Sequence, residues 1–177
     1  MRVLRPPDLT APTGRTRTLV RPLAPIQDTL LAYTLAAVIL VLDQVTKRWA
    51  EASFADGPKR ILGDFLIFRF GENSGAAFSL FRDGGRFFGI AAALAIGVIA
   101  FALTKRRPRS EVVAFGMVIG GALGNLTDRI LRGPGFLDGR VIDWIQVPYW
   151  PTFNIADSAV SIAIVTLLIG SIRSGRG

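Results

Sequence analysis

Histidine and cysteine are absent from this chain, and lysine occurs only three times in its 177 residues. Without histidine, neither a Ser-His-Asp triad nor a histidine-rich zinc site can form. Without cysteine there is no thiolate nucleophile, no thiolate metal ligand and no disulfide bond. Of the lysines, Lys47 lies near the end of the first apolar run, and no serine is four residues from it. Carboxylates remain as the groups best suited to acid–base chemistry.

Polar sequence is also scarce, because half of the residues are hydrophobic and the mean hydropathy is +0.43. A helix that spans a membrane needs about 20 residues. Three of the four runs without charge fall short of that length and reach it only if flanking polar residues are included. If the four runs were instead buried helices of a soluble protein, the chain would have too little polar surface to cover them. The sequence therefore predicts four transmembrane helices with polar residues at their ends. The four apolar runs are residues 29–42, 87–104, 112–127 and 158–172.

The net charge of +8 comes mainly from arginine, and the basic residues lie between the apolar runs. This pattern favours anionic lipid and membrane orientation over binding to nucleic acid. Residues 105–109 form a short loop with four basic residues, and both terminal segments carry arginine. The positive-inside rule then places this loop and both termini in the cytoplasm. Residues 1–26 are predicted to be a disordered cytosolic tail, and residues 27–173 a single membrane domain.

The first outer loop, residues 51–86, contains a stretch rich in β-forming residues at 61–70 (ILGDFLIFRF). A turn-like segment at 71–75 (GENSG) and a second apolar run at 76–80 follow it. This order predicts a small β-hairpin or sheet on the outer face. Its aromatic residues either pack as a cap on the bundle or rest on lipid or an acyl chain. They are Phe65, Phe68, Phe70, Phe78 and Phe81.

Asp43 and Lys47 are four residues apart near the end of the first apolar run. On a helix they share a face and can form an ion pair. This pair either has a structural role or positions a substrate.

A second polar group follows the third apolar run. Asn125 and Arg129 are four residues apart, and Asp128 is predicted to pair with Arg129 as a structural, ionised carboxylate. Small residues that repeat every four positions allow another helix to approach closely. Three glycines precede the polar group at that spacing: Gly116, Gly120 and Gly124.

Two further carboxylates flank the start of the last apolar run. Asp143 lies in a short extended segment, and Asn154 is predicted to be the N-cap of the final helix. Asp157 then falls in the first turn, near the positive end of the helix dipole, which favours its ionised form. Asp157 could also merely complete the cap. Two aspartates held close together cannot both ionise, so one can take a proton from water while the other donates to a carbonyl oxygen.

These residues stand in five motifs that resemble, in the same order, the lipoprotein signal peptidases (signal peptidase II) of bacterial inner membranes. The resemblance covers about residues 30–172. It implies an all-α membrane protein with four transmembrane helices, a small extracytoplasmic β-cradle and a short amphipathic helix. The motifs are DQVTK at 43–47, NSGAAF at 73–78, GNLTDR at 124–129, VID at 141–143 and FNIAD at 153–157.

The resemblance implies a membrane-embedded aspartic endopeptidase that removes the signal peptide from prolipoproteins and cuts on the amino side of a diacylglyceryl-modified cysteine. Prolipoprotein signal peptides and membrane lipids are then its partners, without nucleic acid, metal or organic cofactor. The active site is expected near the extracytoplasmic face of the bacterial inner membrane.

Three features depart from the family pattern: residues 130–140 form a longer segment, residues 143–157 a shorter one, and Trp144 replaces the usual Phe.

Asp143 and Asp157 match the two catalytic aspartates of this family, with Asp128 as the rival for a catalytic place. The family's binding and supporting positions correspond here to Asp43, Lys47, Asn73, Gly75, Asn125, Asp128, Arg129 and Asn154.

The alternative is a small transporter-like or proton-coupled membrane binding protein. It predicts ionisable residues near the membrane midplane and interrupted helices there, whereas this sequence places its polar residues at one end of the four spans. A purely structural membrane protein would tolerate asparagine at Asp143 and Asp157.

Overall fold

The structure is a computed structural model, and it describes residues 25–75 and 84–174. Within these ranges, four helices are long and apolar enough to cross a membrane, which confirms the predicted spans. Residues 1–24 of the predicted tail lie outside the described part, and the first helix begins at Ile26. In chain order the elements are α1 (Ile26–Phe54), β1 (Lys59–Leu62), β2 (Leu66–Asn73), α2 (Gly84–Ala102), α3 (Arg109–Leu131), β3 (Val141–Gln146) and α4 (Ile155–Ser174).

Helix α3 is the centre of the bundle, since it contacts α1, α2 and α4. The predicted glycine stripe lies where α3 crosses α1. A Cβ atom on Gly116 would lie 2.6 Å from the carbonyl oxygen of Ala32, and one on Gly120 would lie 2.7 Å from that of Ala36. A Cβ on Gly124 would meet a carboxylate oxygen of α1 at 2.5 Å. These glycines therefore bring the polar ends of α1 and α3 into direct contact.

The three strands form one antiparallel sheet in the order β1-β2-β3. The turn of the hairpin lies at Gly63, whose φ is +53°, and not at residues 71–75 as the sequence predicted. Residues 71–73 instead extend β2, because β3 pairs with them, with Gly71 opposite Asp143. The apolar run at 76–80, with Phe78 and Phe81, lies outside the described residues.

Aromatic rings pack the sheet against the end of α1. Trp144 on β3 lies 5.4 Å from Trp49 and 4.9 Å from Phe68, measured between ring centroids, in edge-to-face geometry. Such pairs stabilise beyond the area that they bury. Phe68 and Phe70 thus belong to the packed cap, whereas Phe65 is exposed. We refer to this end of the bundle as the sheet end.

The described ranges contain four helices, and all four are long. The short amphipathic helix that the resemblance implies is therefore not found in these ranges. Between β3 and α4 the chain instead forms a turn and returns to β3. Phe153 makes an isolated antiparallel bridge with Ile145. Because this connection is short, the start of α4 lies directly beside β3.

Candidate active site

The polar residues predicted from the sequence come together at the sheet end, contributed by α1, β2, α3, β3 and α4. Most of them are buried, and buried charges persist only when they are paired or hydrogen-bonded. Four of these side chains have no exposed surface: Asp43, Lys47, Asp128 and Asn154. Asp143 and Arg129 are also buried.

Lys47 joins α1 to α3. Its Nζ lies 2.7 Å from Asp43 Oδ2 and 2.8 Å from Asp128 Oδ2, and it donates to Asn125 Oδ1 at 2.8 Å. These three contacts match the three protons of the ammonium group. The predicted ion pair between Asp43 and Lys47 is confirmed, and it is part of a larger network.

The predicted pairing of Asp128 with Arg129 is wrong. Asp128 pairs with Lys47 and with Arg132, and its Oδ2 accepts from the backbone N–H of Ile142 at 3.2 Å. Successive helix residues project about 100° apart, so Asp128 faces α1 and β3 while Arg129 faces α2. Arg129 lies over the ring of Phe88 on α2 at 5.8 Å.

Gln44 was not predicted as a site residue, although it lies inside the DQVTK motif. Its amide donates to Asp128 Oδ1 at 3.2 Å and to the backbone carbonyl of Gly124 at 3.0 Å. Neighbouring Asp43 accepts from the backbone N–H of Ala156 at 3.0 Å. Two adjacent residues of α1 thus form hydrogen bonds to α3 and α4. The spacing of residues within one helix does not predict such contacts between helices.

Asn125 links this network to Asp157. Its Oδ1 accepts from Lys47 and from Asn154 Nδ2, so its own Nδ2 is turned toward Asp157 and donates to Oδ1 at 2.8 Å. The charged lysine therefore determines which way the amide faces.

Asn154 and Asp157 form a reciprocal cap at the start of α4. The backbone N–H of Asp157 donates to Asn154 Oδ1 at 2.9 Å, and that of Asn154 donates to Asp157 Oδ2 at 3.3 Å. This is a capping box with aspartate in place of glutamate. It confirms the predicted N-cap.

Asn154 also bridges the two aspartates. Its side-chain Nδ2 donates to Asp143 Oδ1 at 2.8 Å, while its backbone N–H donates to Asp157. The other oxygen of Asp143 accepts from Asn73 Nδ2 at 3.0 Å. Asp143 and Asp157 therefore lie on either side of one asparagine.

Burial raises the pKa of Asp143 to about 6, and the nearby charge of Asp157 also raises it. Hydrogen bonds from Asn73 and Asn154 oppose this shift, because they stabilise the carboxylate. Asp143 is therefore protonated at a pH well above the ordinary range of an aspartate.

A cavity of about 550 Å³ opens beside the two aspartates, and both line it. Its polar wall also includes Asn73, Asn125 and Arg129. Gly75 lines the cavity as well, and its φ is +79°. Its backbone N–H donates to Asn73 Oδ1 at 2.8 Å. Apart from Ser161, the rest of the wall is apolar and comes from α2, α3, α4 and Val141 of β3. We call this the bundle cavity.

A second cavity, of about 430 Å³, reaches Asp143 from the side of β2. Its wall includes Arg69, Glu72, Asn73 and Thr152, and we call it the strand cavity. Neither cavity is lined by Asp43, Lys47 or Asp128. A cavity of about 700 Å³ between α3 and α4 lies at the opposite end of the bundle and contains no predicted site residue.

Comparison with known proteins identifies the family. The family model described as signal peptidase (SPase) II matches residues 35–173. A lipoprotein signal peptidase of Mycobacterium avium is 38% identical over 165 residues, covering 91% of this chain and 87% of the relative. One of Rhodococcus jostii is also 38% identical, over 145 residues that cover 81% and 73% of the two chains.

Two solved structures described as bacterial membrane enzymes have the same fold. One, at 2.3 Å resolution, has a TM-score of 0.71 and 26% sequence identity, with 88% of this chain and 93% of that chain covered. The other, at 1.9 Å, has a TM-score of 0.68 and 27% identity, with 78% and 90% covered. This chain therefore belongs to the signal peptidase II family and is a multi-pass peptidase of a bacterial membrane.

Proposed function

We propose that the protein is an aspartic endopeptidase that removes the signal peptide from prolipoproteins, cutting on the amino side of a diacylglyceryl-modified cysteine. The observation that carries this proposal is the bridge by Asn154, which holds Asp143 and Asp157 together at the wall of the bundle cavity. Two carboxylates held this way can share one proton and hydrolyse an amide without histidine, cysteine or metal.

In the proposed reaction, Asp157 is ionised and Asp143 is neutral. The hydrogen bond from Asn125 and the position at the start of α4 both favour a negative charge on Asp157. The raised pKa of Asp143 favours its protonated form. Asp157 accepts a proton from a water molecule as the water oxygen attacks the scissile carbonyl carbon, and Asp143 donates its proton to the carbonyl oxygen. As the C–N bond breaks, the proton on Asp157 passes to the leaving nitrogen, and a hydroxyl of the diol intermediate returns a proton to Asp143, which restores the starting state of both aspartates.

The remaining residues divide by position and contacts into three groups. Those that line the bundle cavity are proposed to contact the substrate: Asn73, Gly75 and Arg129. Those that hold the aspartates in place without lining a cavity are proposed to support them: Asp43, Lys47 and Asp128. Asn125 and Asn154 orient the aspartates directly through their amides.

The site is proposed to face the extracytoplasmic side of the bacterial inner membrane. The basic loop at residues 105–109 lies between α2 and α3 at the end of the bundle opposite the sheet. If this loop and both termini are cytoplasmic, the sheet end lies at the outer leaflet. Water can reach a dyad at that depth, and the exposed apolar side chains of the spanning helices offer a surface for the diacylglyceryl chains.

The transporter-like alternative is not favoured. Each of the four spanning helices is continuous, and the buried ionisable side chains cluster at one end rather than at the middle of the bundle. Membership of a peptidase family is also inconsistent with it.

Purified protein is expected to cleave a prolipoprotein that carries diacylglyceryl-cysteine and to leave the same precursor without the lipid uncut. The lipid anchors the cysteine at the depth of the dyad, so its removal lowers the local concentration of the scissile bond. Mass spectrometry of the products locates the cleavage. Failure to cut the lipidated precursor in several detergents and in bilayers would contradict the proposal.

The activity is expected to depend on the protonation of Asp143. As the pH rises through the pKa of Asp143, near 6, this residue loses the proton that it must donate, and kcat/KM for the free enzyme falls. Asn73→Ala removes a hydrogen bond that favours the carboxylate, so the pKa of Asp143 rises and the alkaline limb moves to higher pH. Arg60→Gln, a change at an exposed site on β1, serves as the control. A shift of the limb to lower pH in Asn73→Ala would refute this assignment.

A further inference from the structure

The strand cavity and the bundle cavity meet at the dyad. Asn73 and Asp143 line both of them. The bundle cavity is walled by apolar residues of the spanning helices, whereas the strand cavity is walled by β2 and by Pro151 and Thr152, outside the spans. A peptide that crosses the dyad therefore runs from one cavity into the other.

The direction of that peptide follows from the proposed function, on which this inference rests. The signal segment of a precursor is apolar and lies in the membrane, so it suits the bundle cavity. The mature chain begins at the lipidated cysteine and continues outside the membrane. The residues that follow the cysteine therefore enter the strand cavity.

The charges of the strand cavity do not cancel. Glu72 is paired with Arg140, whose Nη1 lies 2.9 Å from Glu72 Oε2. Arg69 is exposed, and it makes no ion pair with any residue in the ranges 25–75 and 84–174. In the proposed reacting state Asp143 is protonated and adds no charge, so the uncompensated charge on this wall is the guanidinium of Arg69.

We infer that Arg69 is a specificity-determining residue that favours precursors with acidic side chains directly after the lipidated cysteine. A guanidinium binds a carboxylate through a charge-assisted hydrogen bond and repels an ammonium group. Because Arg69 is exposed, its interaction with an acidic side chain is expected to be as weak as a surface ion pair. The preference for the acidic substrate is then about 2- to 5-fold in kcat/KM. It weakens as the salt concentration rises.

The test uses three synthetic diacylglyceryl-cysteine peptides that differ only in the two residues after the cysteine, which are both Asp, both Asn or both Lys. Wild-type protein is expected to cleave them in the order Asp, Asn, Lys. Arg69→Gln is expected to cleave the Asn peptide as wild type does and to lose the difference between Asp and Lys. Arg69→Glu is expected to reverse the order. Arg60→Gln, an exposed arginine on the same sheet that lines neither cavity, is expected to keep the wild-type order.

Equal cleavage of the three peptides by wild type would overturn the inference, and so would an unchanged Asp preference in Arg69→Gln. Both results leave the proposed function intact, because the lipidated peptides are still cut. If wild type cuts none of the three peptides, the proposed function itself fails, and the inference falls with it.

Discussion

Replacing either Asp143 or Asp157 with asparagine is expected to lower kcat for a lipidated precursor by on the order of 10²- to 10⁴-fold. Asparagine keeps the size and much of the hydrogen bonding of aspartate, but it cannot exchange a proton. Because the two carboxylates act as one unit, the double variant is expected to be no slower than the slower single variant. Initial rates at several substrate concentrations, with folding checked by thermal unfolding in detergent, measure this.

Asp128→Asn separates the two possible dyads. Asp128 lines neither cavity and instead contacts Lys47, Arg132 and the backbone of Ile142. This variant is expected to unfold at a lower temperature while its folded fraction still cleaves substrate. Asp64→Asn, at a largely exposed residue of the hairpin turn, is the matched control and is expected to behave as wild type. An inactive, folded Asp128→Asn together with an active Asp143→Asn would assign the dyad to Asp128 and Asp157.

Lys47→Met is expected to cause the largest loss of stability among single changes at the site, about 3–5 kcal/mol. The change leaves the buried carboxylates of Asp43 and Asp128 without their shared cation and removes the donor that orients Asn125. For a chain of this length, such a loss lowers the unfolding temperature by roughly 10 °C. Thermal unfolding in a fixed detergent measures it. Arg48→Met, at the exposed neighbouring position, is the control and is expected to change the temperature little.

A second substitution tests whether Lys47 acts through its ion pair with Asp43. The double variant Lys47→Met/Asp43→Asn keeps only one of the two carboxylates that lose their cation when Lys47 is replaced. It is therefore expected to be more stable than the sum of the two single effects predicts. Strict additivity would mean that Lys47 and Asp43 stabilise the bundle independently and not as an ion pair. Wild-type stability of Lys47→Met would contradict the network altogether.

The sequence allowed the spans and the cap of α4 to be predicted, because both depend on local patterns. A run of uncharged residues predicts a span wherever the rest of the chain lies. Asn154 followed three residues later by Asp157 predicts a capping box from the adjacent backbone alone. These predictions agree with α1 to α4 and with the reciprocal hydrogen bonds of Asn154 and Asp157.

The predictions that failed depend on distant parts of the chain. The turn of the hairpin was placed at residues 71–75 because that segment is rich in turn-forming residues. It is strand, because β3, about 70 residues later, pairs with it. The partner of Asp128 was taken to be its sequence neighbour Arg129, whereas the direction in which Asp128 projects from α3 brings it to Lys47 on α1. Gln44 was overlooked for the same reason, since its partners are on α3.

By itself, the sequence determined that the chain spans a membrane four times, that its polar groups gather at one end, and that carboxylates are its available acid–base groups. Composition and local spacing are enough for these conclusions, because they concern single segments. Only the tertiary structure decided that one asparagine bridges Asp143 and Asp157, that Lys47 serves two carboxylates, and that two cavities meet at Asp143. Those features arise where helices and strands from distant parts of the chain pack together, and their distances and burial do not exist before that packing.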